Sequence, residues 1–172
     1  MLRKLFPGDY VKTIFRIDFK ALSRRGYKAM LFDVDNTIVE HGAPADERAR
    51  RFFRYLRKNG FKTIALSNNK EPRVQSFCRD VGADGYIFLA GKPSPNAYFE
   101  AMERLGVTPR QTIFVGDQIF TDIWGANNAG IRSVMVEPIH KWKEEPQIIL
   151  KRFIEALVLI PFHIFCRKRI QK

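Results

Sequence analysis

Cysteine is nearly absent. Only Cys78 and Cys166 occur among the 172 residues, far apart and without paired spacing, so a disulfide framework has nothing to build on. Histidine is scarce as well: His41, His140 and His163 share no metal-ligand spacing and read as loop or surface groups, with His41 placed where it could line a site entrance. No internal repeat or low-complexity tract is present. Long apolar runs are missing too. The N-terminal MLRKLFPGDY has no secretion-signal stretch, and the uncharged run from Ala156 to Cys166, interrupted by Pro161, is shorter than the roughly 20 residues that cross a bilayer. A protein of the reducing cytoplasm is the expectation.

Apolar residues make up 45% of the chain, 15 of them Phe, enough for a real core, and the length predicts one domain over residues 1–172. The formal charge is +12, and its distribution is uneven. Residues 1–28 hold 8 basic and 2 acidic side chains, and residues 141–172 hold 8 and 3, so the core of about 29–136 lies within a stretch of nearly balanced charge. A basic N-terminal extension and a basic, apolar C-terminal extension fit a surface that docks on something anionic; solvated tails fit the charge equally well.

Between residues 29 and 136 short apolar runs alternate with segments of helical period, as in a parallel sheet covered by helices. AMLFDV, KTIAL, YIFL, TIFVG and RSVMV are the five strands. Ala49, Phe52, Phe53 and Leu56, and then Val74, Phe77, Cys78 and Val81, mark the apolar faces of two crossover helices. SPNAYFEAMERLG forms a third, with Ser94 as N-cap and Gly106 as stop, and FTDIWGANNAG a short fourth with Trp124 in the core. DFKALSRRG reads as a helix capped by Asp18, while YVKTIFRI carries no assignable pattern.

The chemistry is concentrated at strand ends. In FDVDNT, Asp33 and Asp35 lie two residues apart on an extended strand, so both carboxylates converge at the C-terminal edge of the sheet, where open α/β folds bind ligands. Such a pair needs a shared cation or a shared proton. It is not an EF-hand loop, because Ile38 and Pro44 stand where Gly and the bidentate acid belong. Asp117 and Asp122 in GDQIFTD offer more oxygen ligands of the kind Mg²⁺ prefers. Ser67, Asn68 and Asn69 at the end of KTIAL can donate to phosphate oxygens, and Lys92 in AGKPSP can neutralise them. Each piece alone reads as ordinary turn or capping chemistry; together, in this order, they describe a phosphoryl-transfer site.

That ordered set, a DxDxT, a strand ending in Ser, a Lys-Pro and a GDxxxxD, resembles the haloacid dehalogenase superfamily of aspartyl-phosphate phosphatases over residues 29–136. The resemblance implies a Rossmann-like three-layer α/β sandwich around the parallel five-stranded sheet. It makes Asp33 the nucleophile, Asp35 the general acid and base, and Ser67 and Lys92 the phosphoryl grip. Asp117 would hold Mg²⁺ with Asp33 and the backbone carbonyl of Asp35, Asp122 would orient the metal shell or Lys92, and Thr37 would brace the loop. Asn36 departs from the family pattern, standing where many members carry Gly.

Only about 30 residues separate Thr37 from Ser67, and Ser67 to Lys92 is equally filled, so no cap domain fits. An open site suits a large substrate or one presented on a surface, and an oligomer partner could also cover it. LFDVDNTIV, LSNN, GKPSPNAY and VGDQIFTDIWGANNAG are most similar to the YqeG-type, class IIIA phosphatases, related to mitochondrial phosphatidylglycerophosphate phosphatases. The implied substrate is an anionic phospholipid at the inner face of a membrane. Basic ends, Trp142 at the interface and the apolar FIEALVLIPFHIF would then serve peripheral attachment, whereas packing of that segment on the domain or a second subunit is the plain alternative. Nucleic-acid ends, soluble phosphorylated metabolites and a non-catalytic phosphate- or RNA-binding role are the rival readings.

Overall fold

The computed structural model describes residues 2–140 and 146–166. Six strands, β1 (Asp9–Val11), β2 (Ala29–Phe32), β3 (Lys62–Leu66), β4 (Gly85–Ile87), β5 (Thr112–Gly116) and β6 (Arg132–Val136), form one sheet in the order β1-β6-β5-β2-β3-β4. Every pairing is parallel. The five expected strands are present, and the count of five is corrected by β1, which lies within the unassigned YVKTIFRI region and its flank. Three half-buried residues carry too little periodicity to stand out in a sequence. What fixes them is tertiary: Asp9 pairs in register with Val134, and both its carboxylate oxygens accept from Arg132, at 2.7 and 2.8 Å.

The helices are α1 (Phe19–Arg24), α2 (Glu47–Lys58), α3 (Glu71–Val81), α4 (Asn96–Leu105), α5 (Trp124–Asn128) and α6 (Pro146–Cys166). Asp18 caps α1 by accepting from the Ala21 amide at 2.9 Å. Ser94 does not cap α4: its own amide bonds the Gly91 carbonyl in a turn, and Pro95 takes the N-cap position. The stretch expected as one short helix begins as a π turn, Ile119–Ile123, that runs into α5. Trp124 is half-buried rather than core.

Alternation along β2 sorts its side chains to the two faces of the sheet. Met30 and Phe32 meet α2 and α3 through the predicted faces, all eight of whose residues are buried. Ala29 and Leu31 meet α4 and α5. Phenylalanine makes the first face specific: Phe19 packs edge-on to Phe52 and Phe61, and Phe53 to Phe32 and Phe77, at centroid distances of 5.1 to 6.1 Å, contacts worth about 0.5–1.5 kcal/mol each beyond their buried area. Cys78 sits in this core, its thiol pushed up to about 12 by burial, which suits an inert side chain.

From β2 the chain winds outward through β3 to β4, then returns to β5 on the other side of β2. The strand ends of β2, β3 and β5 therefore border one cleft, the position at which open α/β sheets bind ligands. The segments between Thr37, Ser67 and Lys92 are used up by α2 with β3 and by α3 with β4, so no cap is inserted there.

The inner face of α6 packs on the domain. Val158 and Leu159 join Leu5, Tyr10, Ile119, Ile123 and Met135, and Phe162 meets the Phe6 ring at 6.0 Å. Among the described residues no helix is long and apolar enough to cross a membrane. Trp142 and the side chains of His163 and Cys166 lie outside the described residues.

Candidate active site

Asp33 follows β2 directly, and its amide continues the sheet by donating to the Val115 carbonyl at 2.9 Å. Its carboxylate faces the Lys92 ammonium at 2.6 Å, and the same ammonium lies 2.6 Å from Asp122. Asp122 in turn accepts from the amides of Asp117 and Gln118, each at 3.1 Å, which fixes it beneath the end of β5. Gly116 makes that possible: a Cβ there would lie 2.5 Å from Asp122 Oδ2 and 2.6 Å from its Cβ. Replacing Gly116 by Ala is therefore expected to displace the Asp122 carboxylate, lower stability by about 1–3 kcal/mol and reduce phosphate release. Denaturant unfolding and a phosphatase assay check this; an unchanged variant would mean that the glycine in GDQIFTD has no steric duty.

Asp33, Asp35, Asn36, His41, Ser67, Asn68, Asn69, Lys92 and Asp122 line a single cavity of about 220 Å³. Thr37 stands behind it and donates to Asp117 at 3.3 Å. All eight predicted site residues thus converge, with different exposures. Asp33 keeps 14% of its side chain open to solvent, whereas Asp117 and Asp122 are sealed. Asn36 has φ 60°, the left-handed conformation that glycine adopts freely and Asn tolerates better than most residues. The side-chain amide of Asn68 is committed to the peptide of Lys92, accepting from its N–H at 3.0 Å, which makes it a brace for the lysine.

Burial pushes the Asp33 carboxyl well above its ordinary range; Lys92 works against that shift, and Asp122 and Asp117 add to it. Burial works to lower Lys92, but the Asp122 and Asp33 carboxylates outweigh it and hold the ammonium well above its ordinary range. Asp33, Asp117 and Asp122 each place a carboxylate oxygen within 4.8 Å of the others. A compact, buried set of hard oxygen donors fits Mg²⁺ and offers no soft ligand for other metals.

Three participants were outside the predicted set. Asp35 is turned toward the Asn69 amide (2.6 Å), the Arg73 guanidinium (2.9 Å) and the Gly42 N–H (2.8 Å). Arg73 projects from the first turn of α3, whose sequence pattern is dominated by its buried apolar face. Arg152 of α6 reaches Asp117, 2.5 Å to Oδ2 and 3.0 Å to its carbonyl. Glu155, one turn on, accepts from the Ile119 amide at 2.6 Å, its carboxyl pushed up to about 7 by burial. Arg152 and Glu155, a charged pair at i, i+3 in a largely apolar helix, were the available signal.

Comparison with known proteins agrees with this geometry. Residues 41–130, the stretch holding Ser67, Lys92, Asp117 and Asp122, match the family described as haloacid dehalogenase-like hydrolase. The chain is 35% identical over 81% of its length to the probable phosphatase YqeG of Bacillus subtilis, spanning 81% of that protein. It is 28% identical over 84% of its length to the chloroplastic/mitochondrial phosphatidylglycerophosphate phosphatase 1 of Arabidopsis thaliana, of which it spans 44%. In fold it is similar to the cobalt-bound deoxy-D-mannose-octulosonate 8-phosphate phosphatase of Haemophilus influenzae, with a TM-score of 0.51 and 16% identity over 80% of this chain and 90% of that one.

Proposed function

Since the chain belongs to the haloacid dehalogenase-like hydrolase family and is one of its phosphatases, we propose that it dephosphorylates phosphatidylglycerophosphate at an anionic membrane surface through an aspartyl phosphate on Asp33. The observation that carries the reaction is the arrangement around Lys92: one buried ammonium joins a partly open carboxylate, Asp33, to a sealed one, Asp122. Asp33 attacks phosphorus, and the bond to the leaving oxygen breaks while Asp35 delivers a proton to it. Asp35 then takes a proton from the water that cleaves the acyl phosphate. Lys92 and Ser67 hold the phosphoryl oxygens, with Asn68 and Asp122 positioning the lysine. Asp33, Asp117 and the Asp35 carbonyl are the groups that would hold Mg²⁺, whose contribution when bound is to neutralise charge on the phosphoryl oxygens.

Two features support the lipid. The cavity has no cap inserted over it, which suits a headgroup presented on a surface. The alignment with the plant phosphatidylglycerophosphate phosphatase runs over 84% of this chain. A cytoplasmic protein held peripherally at the inner face of a membrane follows from that substrate, and the whole chain acts as one catalytic domain. The test is kcat/KM across phosphatidylglycerophosphate, sugar phosphates, nucleotides and 5′-phosphorylated oligonucleotides, with and without Mg²⁺. Mg²⁺-dependent release with the lipid ahead by about tenfold or more, one pocket's worth of discrimination, is expected; an oligonucleotide or soluble metabolite in the lead would overturn the lipid assignment.

A further inference from the structure

Residues 152–162 of α6 separate into two faces of unlike chemistry. Arg152, Glu155, Val158, Leu159 and Phe162 turn to the domain. The exposed positions, Phe153, Ile154, Ala156, Leu157 and Ile160, are all apolar, and the four large ones keep 48 to 66% of their surface in contact with solvent. A helix that merely covers a domain carries polar residues on its outside. Here the one acid in the segment, Glu155, is buried and directed inward.

The charge around this face is basic. The N-terminal 3-10 turn, Leu2–Leu5, lies beside α6, since Leu5 shares its apolar cluster and Phe6 meets Phe162. Arg3 and Lys4 on that turn are exposed. The N-terminal turn and α6, remote in sequence, are thus neighbours in the fold, and in sequence Arg167, Lys168 and Arg169 follow α6 directly. The helix also borders the active site, because Arg152 bonds Asp117 and Glu155 bonds the amide of Ile119.

We propose that the outer face of α6, with Arg3 and Lys4 beside it, is the surface by which this protein docks on an anionic bilayer. The proposal rests on the lipid-phosphatase reading and deepens it by naming the surface that delivers the cavity to its substrate. Apolar side chains at the headgroup boundary and basic ones among anionic headgroups each find a partner there. A second copy of the chain satisfies only the first, since it brings like charge to like charge. Nucleic acid satisfies only the second, because four of the five exposed positions are aliphatic and offer no stacking surface.

The test is co-sedimentation of the full chain with vesicles of phosphatidylcholine alone and of equal parts phosphatidylglycerol and phosphatidylcholine. Neither lipid carries a phosphomonoester, so the active site cannot act as the anchor. The wild-type protein is expected to bind the mixed vesicles and not the neutral ones. Phe153→Ser with Leu157→Ser should weaken binding by at least about tenfold, and Arg3→Ala with Lys4→Ala by about tenfold at low salt. Thermal melting checks the fold of each double variant; should the first pair melt early, Ile154→Ser with Ile160→Ser replaces it. Absent vesicle binding, or binding that both apolar pairs leave intact, overturns the proposal. So does sedimentation velocity showing that the apolar pair converts a dimer to a monomer, or an RNA that binds with the same dependence on Phe153 and Leu157. Vesicle binding retained while phosphatidylglycerophosphate is not hydrolysed leaves the surface standing and overturns the substrate instead.

Discussion

Asp33→Asn is expected to remove Mg²⁺-dependent phosphate release by about 10³-fold or more and, at neutral pH without metal, to raise the melting temperature. The first effect follows from chemistry: an amide at position 33 cannot form an acyl phosphate. The second follows from the charges around it. Asp33, Asp117 and Asp122 crowd within 4.8 Å, and among the described residues Lys92 and Arg152 are cations that contact them. Burial, opposed by Lys92 and reinforced by Asp122 and Asp117, keeps the Asp33 carboxyl well above its ordinary 3.8. An acid whose folded pKa exceeds its unfolded one costs nothing below the unfolded value and costs progressively more stability as the pH rises past it. The variant's advantage, on the order of 1 kcal/mol, should accordingly fade as the pH falls toward 3.8. Activity retained in Asp33→Asn would sink the nucleophile assignment. Activity lost together with a lower melting temperature at neutral pH would make Asp33 a structural residue.

Much of this was legible in the chain because each strand-end motif combines a local rule with a position the topology makes common. Asp33 ends β2, Ser67 ends β3 and Asp117 ends β5, and a parallel sheet with the switch beside β2 brings those three ends together without further information. The apolar faces of α2 and α3 were legible for a similar reason, since a helix at a sheet surface must repeat at 3.6 residues. What escaped was fixed by long-range partners. β1 is three residues whose only strong signal is an ion pair with Arg132, far along the chain. Arg73 and Arg152 arrive at Asp35 and Asp117 from helices whose apolar residues dominated their pattern. Nor does the chain's order reveal that the N-terminal turn packs beside α6, which Leu5 and Phe6 bring about through long-range contacts.

Lys92→Met should be the most destabilising single change at the site, and the least well explained by packing. Methionine keeps most of the volume, so the loss is electrostatic. Only 3% of the Lys92 side chain is exposed, and its ammonium stands 2.6 Å from both Asp33 and Asp122, which hold it charged at any working pH. Without it those carboxylates are buried with no cation between them, a defect that costs about 3–5 kcal/mol in comparable pairs. Two further results separate this account from a general packing fault. Mg²⁺ should restore much of the stability, because a divalent ion bound by the folded carboxylates and not by the unfolded chain adds its binding free energy to folding. Adding Asp33→Asn should also restore stability by removing one of the stranded charges, a coupling that a double-mutant cycle reads directly. Activity should stay low, by about 10²–10³-fold, even with Mg²⁺ saturating, since the phosphoryl oxygens have lost a fixed positive partner. Unfolding by denaturant, with and without Mg²⁺, supplies the comparison. A Lys92→Met protein within about 1 kcal/mol of wild type in the absence of metal would mean that the ammonium does not hold the carboxylates together. In that event the order of FDVDNT, GKP and GDQIFTD along the chain would reflect catalysis alone. If the loss is large, the lysine that grips the substrate is also the one that lets three acids share the end of a sheet.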